Sequence, residues 1–319
     1  MKRFIFIQLM VGLGFLGANL LTPWLYRQVP SDFKRTQFLI KKLKDPELSP
    51  DVMVFGNSIG MSGINAQIIV DSLDQYARCY NFSSVGQSIY ESALYYPMLP
   101  GSTKLVVQLI RADLLAESLP KLDQEELRNF YFFGYDFGQA IDKSLEVDMG
   151  LDYINNTSAL DLNYQSRTVI ANFLNNSIRN IMRKDLDLDR LNRELLFPNV
   201  YKSPISTKKM QQMISLYNPK EPLNYFQPNE ETLQYFEKVQ AYFDSRGIEF
   251  VVGIYPINPN LNNFTEQYKA SIEQRLKDLK VPFFDFSNKL VMEDFIDHWH
   301  ISRTGAEKLT QHLVQRLKP

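Results

Sequence analysis

The feature that most limits the fold is an alternation. Short apolar runs at residues 52–55, 77–82, 104–110, 248–255 and 281–286 are interleaved with stretches of helical periodicity at 64–74, 90–99, 230–246, 264–279 and 303–317. The runs Val52-Met53-Val54-Phe55 and Leu105-Val106-Val107 lack the polar alternation of a half-wet strand, so they read as strands buried on both faces. Buried strands separated by amphipathic helices predict an α/β protein, a three-layer α/β/α sandwich on a mainly parallel sheet. Within 230–246, Leu233, Phe236, Val239, Tyr242 and Phe243 form one stripe, and Gly247 is placed to stop the helix. In 303–317 the core-facing set is Ala306, Leu309, Leu313 and Leu317.

The alternation lapses between about residues 112 and 225. That stretch holds aromatic clusters such as Phe130-Tyr131-Phe132-Phe133, many Asn and Asp residues, and a helical pattern from Asn175 to Leu195. It is too long for a loop. The expected organisation is a connector at 28–50, an α/β/α domain from 51–111 and 226–319, and an insertion or lid at 112–225 whose aromatics are mostly core.

Residues 4–26 carry no charge, follow Lys2 and Arg3, and end at Arg27. A bilayer core takes about 20 such residues, and Trp24 and Tyr26 suit its aromatic belt. Leu16-Gly17-Ala18 is a poor cleavage site, and no cysteine stands there for lipoprotein processing. An uncleaved single-pass anchor with an extracytoplasmic body is expected. The 35 basic and 36 acidic residues leave no basic excess for nucleic acid. The single cysteine, Cys79, excludes an intramolecular disulfide and reads as a partly buried core thiol.

Ser58 lies in Gly56-Asn57-Ser58-Ile59-Gly60, directly after the first strand. The string matches the nucleophile elbow G-x-S-x-G. In α/β-hydrolases, however, several strands precede that serine, and its acid and histidine stand far apart. A strand stopping at glycine can turn sharply and project the hydroxyl from the carboxyl end of the sheet, where parallel folds bind ligands. The bland alternative is a serine in a helix cap.

The other end of the chain carries Asp297-His298-Trp299-His300. A serine hydroxyl needs a base, and the imidazole base needs a carboxylate to fix its tautomer. Asp297 and His300 can meet that need from one turn, with Asp294 as reserve acid and His298 a solvent or wall residue. Ser302 or Thr304 can cap the last helix, and Gly305 allows close packing against the loop. His298 and His300 lack the i,i+4 spacing of a helical zinc pair. No metal and no cofactor are expected.

These residues resemble the SGNH/GDSL hydrolase superfamily. Its first block is G-D-S or G-N-S after the first strand, matched by Gly56-Asn57-Ser58. Its last block is D-x-x-H, matched by Asp297-His298-Trp299-His300. The resemblance covers 51–113 and 248–317. It implies a flavodoxin-like sheet, a triad of Ser58, Asp297 and His300, and Gly86 as an oxyanion donor, with Asn57, Arg111 and Asp113 as further oxyanion or substrate residues. The family's third block, G-x-N-D, is replaced by Ile110-Arg111-Ala112-Asp113, so the asparagine donor is absent. One lost donor costs about 3 kcal/mol of transition-state stabilisation. The membrane anchor and divergent third block are similar to the DltD-like and alginate-acetylation branches. Their members handle acyl groups on envelope polymers, some beside a membrane-bound O-acyltransferase.

The expected activity is therefore serine-dependent acyl-ester chemistry, as an esterase or an O-acyltransferase, on an acylated glycan or lipid. A membrane-tethered binding or assembly subunit on a degenerate fold is the alternative, supported by Ala112.

Overall fold

The computed structural model describes residues 2–28, 34–115, 122, 124–137, 145, 154, 156–167, 171, 204–217, 228–261 and 266–318. The helical pattern read between Asn175 and Leu195 lies outside the described residues. The chain divides into two compact units. One comprises residues 1–41, 122–139 and 148–196, the other 42–121, 140–147 and 197–319.

The larger unit is an α/β/α sandwich on a five-stranded parallel sheet. Its strands are β1 (Val52–Phe55), β2 (Cys79–Asn81), β3 (Leu105–Ile110), β4 (Glu249–Ile254) and β5 (Phe283–Asp285), in the order β2-β1-β3-β4-β5. That is the flavodoxin-like order, and it reverses between β1 and β3. Every residue of β1 and β3 is buried, as a sheet covered on both faces requires. Gln108 is the polar exception in β3, and its Oε1 accepts the buried Tyr96 hydroxyl at 2.7 Å. At the other end of the strands, the Asp51 carboxylate ties three elements together. It accepts from the N–H groups of Ala77 and Arg78 and pairs with Lys104 at 2.8 Å.

The edge strands β2 and β5 are shorter than the apolar runs that predict them. A short edge exposes few unpaired backbone groups. Cys79 opens β2 half-buried, and burial pushes its thiol up to about 12. It is an inert packing group.

The helix read at 64–74 is α4 (Ala66–Ser72), and a separate short helix, α3 (Ser58–Gly63), precedes it, so Ser58 itself opens a helix. Each has its own asparagine cap. Asn57 Oδ1 accepts from Ile59 N–H and Asn65 Oδ1 from Gln67 N–H, both at 3.0 Å. Helix α5 (Ile89–Tyr95) follows β2.

Among the later helices, α9 (Glu230–Asp244) buries all five residues of its predicted stripe. It stops as expected, with Gly247 at φ +65° and Ile248 N–H returning to the Phe243 carbonyl. Phe243 packs its ring on Tyr96, Tyr242 and Phe250. Helices α8 (Thr207–Tyr217) and α10 (Glu266–Asp278) also belong to this unit. The last helix, α11 (Arg303–Leu317), corrects one expectation. Val314 completes its buried face beside Ala306, Leu309 and Leu313, while Leu317 is only half-buried at the final turn.

The smaller unit contains α1 (Lys2–Gln28), most of α2 (Lys34–Leu43), α6 (Gln124–Phe132) and α7 (Ala159–Gln165). Within α1, Ile5–Trp24 is long and apolar enough to cross a membrane, and none of it is buried. Tyr26, Phe132 and Leu162 form the unit's buried cluster. Of the aromatic run on α6, Phe130 and Phe132 are buried and Tyr131 is exposed.

Phe243 is wholly buried among three rings. Phe243→Ala is expected to cost about 3–5 kcal/mol, measured as a lowered midpoint in guanidinium unfolding.

Candidate active site

The site gathers at the carboxyl edge of the sheet. Ser58 follows β1 and Arg111 follows β3, so they flank the point where strand order reverses. Helix α3 begins at Ser58 because Asn57 caps it. The capping role also occupies the Asn57 side chain. From β2, Asn81 Nδ2 donates to the carbonyls of Gly60 and Ile64, clamping α3 to its neighbour strand.

His300 reaches Ser58 across 242 residues of sequence. The loop bearing it is closed by Ile296 N–H to the His300 carbonyl at 2.8 Å and Ser302 N–H to the Asp294 carbonyl at 2.7 Å. Helix α11 follows at once, capped by Ser302, whose Oγ accepts from Gly305 N–H. Gly305 is needed there, because a Cβ would overlap the Asp294 carbonyl. Helix α11 then packs on α3 and α4. One contact is Asn65 N–H donating to Thr310 Oγ1 at 3.0 Å.

The result is one hydrogen-bonded chain. Ser58 Oγ lies 2.9 Å from His300 Nε2, and His300 Nδ1 lies 2.8 Å from Asp297 Oδ2. Asp297 Oδ1 accepts the backbone N–H groups of Trp299 and His300 at 2.8 and 2.7 Å. Burial alone would raise this carboxyl. The hydrogen bonds from the His300 ring and from the two N–H groups outweigh it and hold the group at about 2. An ionised carboxylate only accepts, so His300 Nδ1 carries the proton and Nε2 is left to accept from Ser58.

The neighbouring residues separate into distinct roles. His298 is buried, which rules out the solvent position among the two expected for it. Burial lowers its imidazole pKa, with Asp297 opposing and the charges of His300 and Arg111 adding. Asp294, the reserve acid, is also buried, but it pairs with Lys308 at 2.7 Å and braces α11. Arg111 stacks its guanidinium 4.1 Å above the Trp299 ring, beside the His300 loop. Gly86 sits on the exposed turn after β2 with φ +71°, in open space. Ala112 is buried, and the side chain of Asp113 lies outside the described residues. Among the described residues, no group of three or more His, Cys, Asp or Glu side chains is arranged to hold a metal.

Tyr255 is the site residue that sequence reasoning missed. It follows β4, is fully buried, and sets its hydroxyl beneath the turn that carries Ser58. A Cβ on either Gly56 or Gly60 would overlap that hydroxyl. Burial holds the phenol above its ordinary range, while the N–H groups of Gly60 and Asn57 and the Arg111 charge pull the other way. The two glycines that frame Ser58 therefore make room for a phenol from the end of β4, two strands away from β1. The G-x-x-x-G spacing was the available signal, but nothing in sequence names the partner.

No family model matches the chain, and no curated protein matches it. Among solved structures, it is similar to a Streptococcus pneumonia protein provisionally described as a platelet activating factor. The TM-score is 0.43 at 11% identity, covering 95% of this chain and 99% of that one. Likeness at that level carries no argument about the chemistry of this chain.

Gly60→Ala is expected to destabilise the protein by about 1–3 kcal/mol through overpacking against Tyr255, read as a lowered Tm. Asp297 has its folded pKa depressed from 3.8 to about 2. It contributes stability that is present above pH 4 and lost as pH falls towards 2. The Tm advantage of wild type over Asp297→Asn is expected to shrink across that window in thermal melts.

Proposed function

We propose that this chain performs serine-dependent acyl-ester chemistry through an acyl-enzyme on Ser58. The observation that carries the reading is the hydrogen-bonded chain from Ser58 Oγ through His300 to Asp297. His300 Nε2 takes the Ser58 proton as Oγ attacks an ester carbonyl carbon. Asp297 supports the imidazolium through Nδ1–H. The backbone N–H of Gly86 holds the oxyanion, the role that the family resemblance assigns it, together with the N–H of Ser58 itself. His300 then returns the proton to the leaving alcohol as the C–O bond breaks. Water or a second alcohol, deprotonated in turn by His300, resolves the acyl-enzyme, giving an esterase or an O-acyltransferase.

On this reading α1 anchors the protein through residues 4–26, with the sandwich outside the cytoplasm. The substrate is an acylated glycan or lipid of the cell envelope, and a membrane-bound O-acyltransferase is the partner class that the resemblance implies. Buried Ala112 supports one alternative, a non-catalytic binding or assembly subunit, because it leaves the third oxyanion donor absent.

A fluorophosphonate probe applied to the full chain in detergent tests the reading. Covalent labelling is expected on wild type and absent from Ser58→Ala and His300→Ala, with the fold of both variants verified by circular dichroism. A folded wild type that takes no label favours the binding subunit.

A further inference from the structure

Helix α1 contains Pro23, which has no N–H to give to the carbonyl four residues back, that of Asn19. Asn163 of α7 donates its Nδ2 to that carbonyl at 3.1 Å. In a bilayer a backbone acceptor released by proline must be satisfied from a neighbouring group, and α7 supplies one. The end of α1 is fixed further. The Tyr26 hydroxyl bonds Asn129, and Arg27 Nε donates to the Phe132 carbonyl at 2.6 Å. Both partners belong to α6.

The faces of α7 follow from this docking. At 100° per residue, Leu162 points into the buried cluster with Tyr26 and Phe132. Leu160 and Tyr164 share a different face, almost opposite Leu162, and are 53% and 60% exposed. Leu160 lies about 60° and Tyr164 about 100° round the helix from Asn163, on the same side, so their face adjoins the side that meets α1. The exposed part of α1 beside Asn19 is equally apolar, with Leu16, Leu20, Leu21 and Trp24 all uncovered. The Arg167 guanidinium lies 3.6 Å over the Tyr164 ring, a pairing of cation and amphipathic ring suited to lipid headgroups.

Depth agrees as well. Asn19 precedes Trp24 by five residues, about 7–8 Å along a helix. If Trp24 marks the membrane–water boundary, α7 meets α1 at the depth to which an interfacial helix sinks its apolar face, about 5–10 Å. Asp161, capped on Ser158, keeps one flank of α7 polar and the immersion shallow.

We propose that α7 is a second membrane-contacting element, an interfacial helix that lies in the leaflet beside the end of α1 and inserts Leu160 and Tyr164 among lipid chains. The proposal rests on α1 spanning the bilayer. Its consequence is that the smaller unit meets the membrane along two elements and is held against the surface rather than hanging from a single stalk.

Single-cysteine variants of the full chain, made on a Cys79→Ala background and labelled with an environment-sensitive fluorophore, test it in phosphatidylcholine–phosphatidylglycerol vesicles. Labels replace Leu160, Tyr164, Leu13 within α1, and exposed Gln311 on α11. Nitroxides attached at shallow and deep positions of the lipid chains act as quenchers. The expected result is blue-shifted emission at 160 and 164 with stronger shallow than deep quenching, deep quenching at 13, and water-like emission at 311. Water-like emission at 160 and 164 with deep quenching at 13 overturns the proposal while leaving the anchor intact. Water-like emission at all four positions overturns both.

Discussion

Burial of the central strands on both faces is the constraint from which the site follows. A strand covered on two sides has no water to satisfy polar side chains, so β1, β3 and β4 are almost wholly apolar between their ends. Where a polar group does intrude, as at Gln108, the structure spends a buried tyrosine hydroxyl on it. Chemistry is pushed to the strand ends, and a parallel sheet puts all the carboxyl ends on one edge. Ser58, Arg111 and Tyr255 arrive there from three adjacent strands, and the Asp297–His300 loop comes after the fourth.

The half of the site that depends on charge is local. Asp297 satisfies the two backbone N–H groups of its own turn with one oxygen and orients His300 with the other. Four residues thus position an imidazole without help from the sheet. What the sheet unit adds is delivery: α11 packs on α3 and α4, and the imidazole lands on the serine.

This division explains what could be read from sequence. Fold class, strand identity and the buried face of α9 were legible because hydrophobic periodicity records burial directly. The Asp297–His300 bond was legible because both partners lie in one turn. The burial of His298 was not, since an irregular loop has no periodicity to record which side chains face inward. The short helix α3 was not read although Asn57 is a visible cap, because six residues with two glycines carry little periodicity. Tyr255 escaped for a different reason. Its part depends on a contact between strands, and a tyrosine ending an apolar run looks like any other core residue. The grouping of residues 1–41 with 122–139 and 148–196 was not legible, since it depends on which segments pack beside α1.

The fit of the Tyr255 hydroxyl against Gly56 and Gly60 has an evolutionary consequence. The three positions share one small volume, so they are not free to drift separately. A lineage that replaces the tyrosine with a smaller side chain opens room for alanine or serine beside the nucleophile, and a lineage that keeps it must keep both glycines. The covariation of these three positions, more than the conservation of any one, would mark relatives that hold their serine in the same way.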